Sequence, residues 1–198
     1  MYRLTPRMQQ NLRQNLTRYH DLFSGGRCSG WELEELIFKA IQSDNSAQHH
    51  AFWREAGHDD EADIRVRTNG DMHNLQIKSG KVAKRNRSLT LSGHRLGRFK
   101  GDLAAISRYL NDSPGQLLSV PYEKIDDEAG RKHVYQIVYV NSRVMGALNG
   151  NAWAKKGAAW AQTNRFGVEF SLRPSMSWQI WWTIPDRHLD KSQKFIIV

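Results

Sequence analysis

Two short runs of alternating polar and apolar residues, separated by a turn-forming segment, most constrain what this chain can fold into. The runs cover residues 62–67 (Ala-Asp-Ile-Arg-Val-Arg) and 74–78 (Asn-Leu-Gln-Ile-Lys). Alternation with a period of two is typical of a strand buried on one face. The segment 68–72 contains Asn-Gly-Asp and favours a tight turn. We therefore predict two paired strands, the first of which places three side chains on one face: Asp63, Arg65 and Arg67.

Three polar residues of these runs have the types that phosphodiester hydrolysis needs. Twelve residues separate Asp63 from Gln76, and one more separates Gln76 from Lys78. A pair of strands would bring this carboxylate, amide and ammonium together. Mg²⁺ prefers oxygen ligands and keeps several waters, so one carboxylate, a carbonyl oxygen and phosphate oxygens suffice to hold it. A lysine can stabilise the nucleophile or the charge that develops on the phosphate. The spacing therefore indicates a metal-dependent phosphodiesterase site.

In these residues the chain resembles the PD-(D/E)XK nuclease superfamily, and in length and basicity its type II restriction endonucleases. The resemblance implies that Asp63 is the first metal-binding acid and that Lys78 assists the attacking water. Gln76 stands where the family has its second acid, a variant known within the family, and Ala62 replaces the proline. A neutral amide is a weaker ligand than a carboxylate, which leaves the number of metal ions open.

A helix predicted upstream supplies the third acid that the family often has. Residues 29–41 combine a capping Ser29 with acids in the first turn and a stripe of apolar residues. Glu34 lies at the border of this stripe, whereas Glu32 and Glu35 lie further round the helix. The resemblance thus implies four catalytic residues, Asp63, Gln76, Lys78 and Glu34. It implies Mg²⁺ ligands from Asp63, Gln76, Glu34 and the carbonyl group of Ile77.

The charge of the chain favours a polyanionic partner. It carries 29 Lys and Arg against 20 Asp and Glu, a net charge of +9. Lysine and arginine that neutralise phosphates release condensed counterions, and arginine can also read guanine. The run after Lys78 is strongly cationic and adjoins the predicted site in sequence. We predict that its DNA-binding residues are Lys81, Lys84, Arg85, Arg87, His94, Arg95, Arg98 and Lys100.

The coarse layout predicts an α/β fold with a central mixed β-sheet flanked by helices. Nothing demands a second domain, so 1–198 is interpreted as a single nuclease domain. It has an N-terminal helical element at 1–24, strands at 116–124 and 133–141, and a Trp-rich C-terminal β-hairpin region at 146–198. The tryptophans there have two interpretations, core packing or stacking on an unpaired base: Trp153, Trp160, Trp178, Trp181 and Trp182.

Other classes of protein have weaker support in the sequence. No apolar run of membrane-spanning length and no secretory segment is visible, so we expect no membrane association and a cytoplasmic location. The single Cys28 excludes an internal disulfide and a Cys-rich zinc site. His49, His50 and His58 lack the spacing of a zinc pair.

The expected function is therefore a Mg²⁺-dependent type II restriction endonuclease that cuts double-stranded DNA at a specific short sequence. We expect a homodimer, because two-fold protein symmetry matches symmetric duplex sites. One alternative is a resolvase or repair nuclease of the same fold. The other is a catalytically inactive nucleic-acid-binding module, in which Gln76 marks a lost activity.

Overall fold

The computed structural model describes residues 1–44, 49–53, 62–82, 87–112, 115–128 and 130–197. Within these ranges the chain forms three α-helices and two β-sheets, one of them mixed. The predicted α/β class with a mixed sheet is confirmed, whereas the second sheet was not predicted. The chain divides into two compact units, the first made of Met1–Ser79, Gly115–Tyr139 and Lys191–Val198, the second of Gly80–Pro114 and Val140–Asp190.

Two helices belong to the first unit, α1 (Pro6–Leu22) and α2 (Trp31–Gln42). The Thr5 hydroxyl accepts a hydrogen bond from the Met8 N–H at 3.2 Å, and proline opens α1, as expected at a helix start. Gly30 occupies the N-cap of α2 without a side-chain hydrogen bond, so the predicted Ser29 cap is wrong. A positive φ of 62° at Gly30 explains the shift, because glycine tolerates that backbone conformation.

The sheet of the first unit is mixed. Its strand order is β1-β2-β3-β6-β8-β13, and β7 also pairs with β8. Strands β1, β2 and β3 are antiparallel neighbours, whereas β3 and β6 run parallel. A parallel pair needs a crossover, and the second unit's residues 80–114 lie in that connection. The strands are β1 (His49–Trp53), β2 (Ile64–Thr68), β3 (Asp71–Lys78), β6 (Gln116–Ser119), β7 (Tyr122–Asp127), β8 (Gly130–Val140) and β13 (Leu189–Ile197).

The β2–β3 hairpin confirms the predicted pairing and sets which side chains face the core. Asn69 and Gly70 form its two-residue turn with φ values of 47° and 92°, the sign that a tight hairpin of this kind requires. Ile64 pairs with Leu75, and both are fully buried in the cluster that also contains the apolar stripes of α1 and α2. The residues of β2 that alternate with the buried Ile64 therefore lie on the opposite face of the sheet.

The second unit contains an antiparallel sheet with the order β4-β5-β12-β11-β10-β9. The predicted C-terminal hairpin is present as β11 and β12, joined through Pro174–Met176. A short 3₁₀ turn at Gly97–Phe99 precedes the helix of this unit, which begins at Leu103. The elements are β4 (Lys81–Val82), β5 (Leu89–Arg95), α3 (Leu103–Asp112), β9 (Ala154–Lys156), β10 (Ala159–Thr163), β11 (Glu169–Arg173) and β12 (Gln179–Ile184).

Two of the five C-terminal tryptophans are buried, and stacking of the others on an unpaired base stays a prediction. Trp182 and Trp153 are buried, and Trp153 Nε1 donates to Ser107 Oγ on α3 at 2.9 Å. Packing explains both of these residues. Trp160, Trp178 and Trp181 are only half-buried. No helix among the described residues is long and apolar enough to span a membrane.

Candidate active site

Asp63, Ile77 and Lys78 meet at the beginning of β2, where the hairpin brings the two predicted runs together. Asp63 Oδ2 accepts a hydrogen bond from the Ile77 N–H at 2.7 Å and another from Lys78 Nζ at 2.9 Å. Lys78 Nζ also donates to the carbonyl oxygen of Ile77 at 2.9 Å. The carboxylate and the ammonium that the sequence predicted to be neighbours therefore form an ion pair.

Local backbone geometry fixes this carboxylate. The Asp63 N–H donates to the Leu75 carbonyl at 2.9 Å, in line with the β2–β3 pairing that begins at Ile64. Two residues further along β3, the Ile77 N–H donates to the Asp63 side chain. The Asp63 and Lys78 side chains keep 25% and 18% of their surface exposed, so the pair is held by protein yet open to solvent.

Two oxygen atoms at this site converge on one cationic position. Asp63 Oδ2 and the Ile77 carbonyl oxygen each lie 2.9 Å from Lys78 Nζ. Both are ligand types that Mg²⁺ accepts, so the donor set fits a hard cation. A cation bound by the same two oxygens would compete with the ammonium for that position. Within the described ranges, no three His, Cys, Asp or Glu side chains form a metal-binding group.

Gln76 and Glu34 occupy their predicted elements in the same unit. Gln76 lies on the face of β3 that also carries Lys78, and it is 8% exposed. Gly115 is a close neighbour, because a Cβ atom there would lie 3.4 Å from both Cγ and Nε2 of Gln76. Glu34 is also buried, whereas Glu32 and Glu35 are half-buried. Its predicted position at the buried border of α2 is thus confirmed, while its role as a metal ligand stays a prediction.

The residues predicted to bind DNA belong to the second unit. Lys81, Arg87, Arg95 and Lys100 are exposed. Arg98 is exposed as well, and its guanidinium carbon lies 4.6 Å from the centre of the Tyr109 ring. His94 is half-buried, with its ring edge-on to Tyr109 and Trp182. The remaining two predicted residues, Lys84 and Arg85, lie outside the described residues.

Arginines on the outward face of β2 are functional candidates that the predicted DNA-binding set did not include. Arg65 and Arg67 alternate with the buried Ile64 and Val66, so they share the face that carries Asp63. The signal was visible in the sequence, because the alternation of the first run already placed these three side chains together. The predicted DNA-binding set contained only residues that follow Lys78, so it did not include these two arginines.

A buried histidine pair was not predicted at all. The rings of His20 on α1 and His133 on β8 stack with centres 3.6 Å apart. His20 Nε2 lies 2.8 Å from the Tyr135 hydroxyl, and His133 Nδ1 lies 3.0 Å from the Tyr122 hydroxyl. Burial lowers the pKa of both histidines, and their proximity lowers that of His20 further. The two histidines are more than one hundred positions apart in the chain, so no local sequence pattern predicts their contact.

Comparison with known proteins gives no assignment, because no family model, no curated protein and no solved structure matches this chain.

Proposed function

We propose that this protein is a Mg²⁺-dependent endodeoxyribonuclease of the type II restriction kind, with a restriction-endonuclease-like fold. The observation that carries the proposal is the convergence of Asp63 Oδ2 and the Ile77 carbonyl oxygen on the Lys78 ammonium. Asp63 and Lys78 are two of the three residues that the sequence predicted to meet at this site. The net charge of +9 supports a nucleic-acid substrate.

Each residue of the candidate site has a distinct role in this proposal. Asp63 holds the cationic position, with the Ile77 carbonyl as its neighbour and with Gln76 and Glu34 as further candidate ligands. Mg²⁺, when bound, supplies Lewis-acid activation of the scissile phosphate. Lys78, still within reach of Asp63, stabilises the attacking oxygen or the negative charge that develops on the phosphate. Cleavage of both strands at a symmetric site is the reason to propose a homodimer. The proposed location is the cytoplasm.

Plasmid cleavage with Mg²⁺ tests the site directly. Asp63→Asn and Lys78→Met should each lower the cleavage rate by about 10²–10³-fold or more, the usual effect of removing one charge-stabilising group. Lys78→Met should still bind duplex DNA in Ca²⁺. Asp126→Asn is the matched control, because Asp126 forms an exposed ion pair with Lys124 at 3.3 Å in the same unit. Cleavage at the wild-type rate by either site variant overturns the assignment.

A catalytically inactive DNA-binding module is the second candidate, and one observation favours it. The hydrogen bonds of Asp63 to the Ile77 N–H and to Lys78 Nζ would also suit a purely structural pair that closes the end of β2. In that case wild-type protein binds duplex DNA but leaves the plasmid intact with Mg²⁺, and Asp63→Asn lowers stability without changing DNA affinity. A resolvase or repair nuclease would instead prefer branched or damaged duplexes over the intact plasmid.

A further inference from the structure

The outward face of β1, β2 and β3 carries two rows of side chains that cross all three strands. In the first row, His50 is paired with Arg67, and Arg67 with Met72. In the second row, Phe52 is paired with Arg65, and Arg65 with Asn74. Paired residues in neighbouring antiparallel strands hold their side chains side by side on one face. We call this set of six residues the arginine face.

The arginine face is continuous with the candidate active site. Side chains alternate along a strand, so Arg65 and Arg67 share a face with Asp63, and Asn74 shares it with Lys78. All of these residues belong to the first unit. Among the residues of β1, β2 and β3, no acidic side chain has outward parity, because Asp71 is in register with Thr68 on the other parity. Asp63, immediately before β2, is an acidic residue that borders the face.

Exposure and packing suit this face for contact with a large ligand. His50, Arg67 and Asn74 are exposed, and Met72 keeps 48% of its surface exposed. The Arg67 guanidinium carbon lies 5.7 Å from the centre of the Phe52 ring. Such a cation–π contact restricts the arginine side chain before binding, which reduces the entropy that is lost when it engages a ligand.

We propose that the arginine face binds the phosphates of duplex DNA and guides the duplex to Asp63 and Lys78. The exposed Arg67 presents a forked guanidinium group on this face, and Arg65 lies on the same face about 7 Å further along the strand. Guanidinium matches phosphate in a bidentate geometry. Such contacts position a duplex without reading its sequence. The inference rests on the proposed function in that the bound duplex is the substrate of the candidate site.

Fluorescence anisotropy with a labelled duplex, in Ca²⁺ and over a series of salt concentrations, tests the arginine face without cleavage. Arg67→Ala should weaken binding of every duplex equally and lower the salt slope of log K by about 0.9, the value of one phosphate contact. Arg67→Lys should restore the slope, because the charge returns. The matched control is Arg131→Ala, since this exposed arginine of the same unit is ion-paired with Asp126 at 3.0 Å.

Each outcome separates this inference from the proposed nuclease activity. The arginine face is supported if Arg67→Ala binds DNA more weakly while Arg131→Ala keeps the wild-type affinity and salt slope. This holds whether or not the wild-type protein cuts DNA. Affinity and salt slope of Arg67→Ala equal to those of the wild type overturn it, even if the plasmid is cut with Mg²⁺. A loss that is confined to RNA also overturns it, since the proposal commits to duplex DNA. Arg65→Ala, compared with Arg67→Ala at matched circular dichroism, reports whether the second guanidinium contributes.

Discussion

The candidate site at the first sheet and the cationic residues of the second unit hold their charged groups in different ways. At the candidate site of the first sheet, Asp63 and Lys78 are partly buried and joined at 2.9 Å. In the second unit, Lys81, Arg95 and Lys100 are exposed at strand and turn positions. A group that performs chemistry benefits from a fixed position in which it needs no reorganisation. A group that contacts phosphate only has to reach it from the surface.

This difference assigns different measurable effects to the two units. Substitutions at the first sheet's site should change the rate of cleavage, whereas substitutions of the second unit's cations should change affinity and salt dependence. Exposed cations keep their positions only while the sheet that carries them remains folded. The comparison therefore depends on a stably packed core in the second sheet.

The largest expected effect is a loss of stability when the core of the second sheet is changed. Phe170 on β11 is fully buried and paired with the buried Trp182. Phe170→Ala should lower the free energy of unfolding by about 3–5 kcal/mol, since it removes a large apolar side chain and leaves a cavity. Urea unfolding followed by circular dichroism measures it. The outward neighbour Ser171 supplies the control, because Ser171→Ala should stay within about 0.5 kcal/mol. Equal effects of the two variants would contradict the inward and outward assignment of this strand.

The next largest effect is a loss of stability at low pH, and it arises in the first unit. The pKa values of His20 and His133 are lowered in the folded protein, so below pH about 6.5 the unfolded chain binds more protons than the folded one. The stability that these neutral rings provide is complete above that pH and is lost as the pH falls. The slope is at most about 1.4 kcal/mol per pH unit for each histidine.

Urea midpoints between pH 7.5 and 5 would measure this loss. The double variant His20→Gln and His133→Gln should flatten the slope of stability against pH. A double variant that keeps the wild-type slope would show that other groups cause the acid sensitivity.

The first sheet shows how much of the fold and of the site could be predicted from sequence. Residues close in sequence determine the β2–β3 hairpin, because a period-two pattern surrounds Asn69 and Gly70 and the turn fixes the register. The contact of Asp63 with Lys78 follows from that register. The parallel pairing of β3 with β6 joins distant segments, and no local pattern encodes which strand lies next to β3. The His20–His133 stack depends on that same long-range packing.

A smaller effect tests whether the Lys78 ammonium occupies the position that a metal ion would use. Lys78→Met removes the cation that lies 2.9 Å from Asp63 Oδ2 and from the Ile77 carbonyl oxygen. Because the ammonium competes for these two oxygens, the free variant should bind Ca²⁺ or Mg²⁺ about tenfold more tightly than the wild type, or about 1.4 kcal/mol. Calorimetric titration without DNA measures this change. Asp63→Asn should abolish the binding, and weaker binding by Lys78→Met would show that the metal site lies elsewhere.

The smallest effect concerns the exposed cations of the second unit. Arg95 ends β5 and Lys100 follows the 3₁₀ turn, both exposed. If each contacts one phosphate, Arg95→Ala and Lys100→Ala should each lower the salt slope of log K by about 0.9 without changing the cleavage rate at saturating DNA. Lys156→Ala is the matched control, because Lys156 is an exposed lysine of the same unit paired with Glu169 at 3.3 Å. A change in cleavage rate at saturation would contradict the division of roles between the candidate site and these cations. A loss of about 1–3 kcal/mol at only one base pair would instead identify Arg95 as a residue that reads a base.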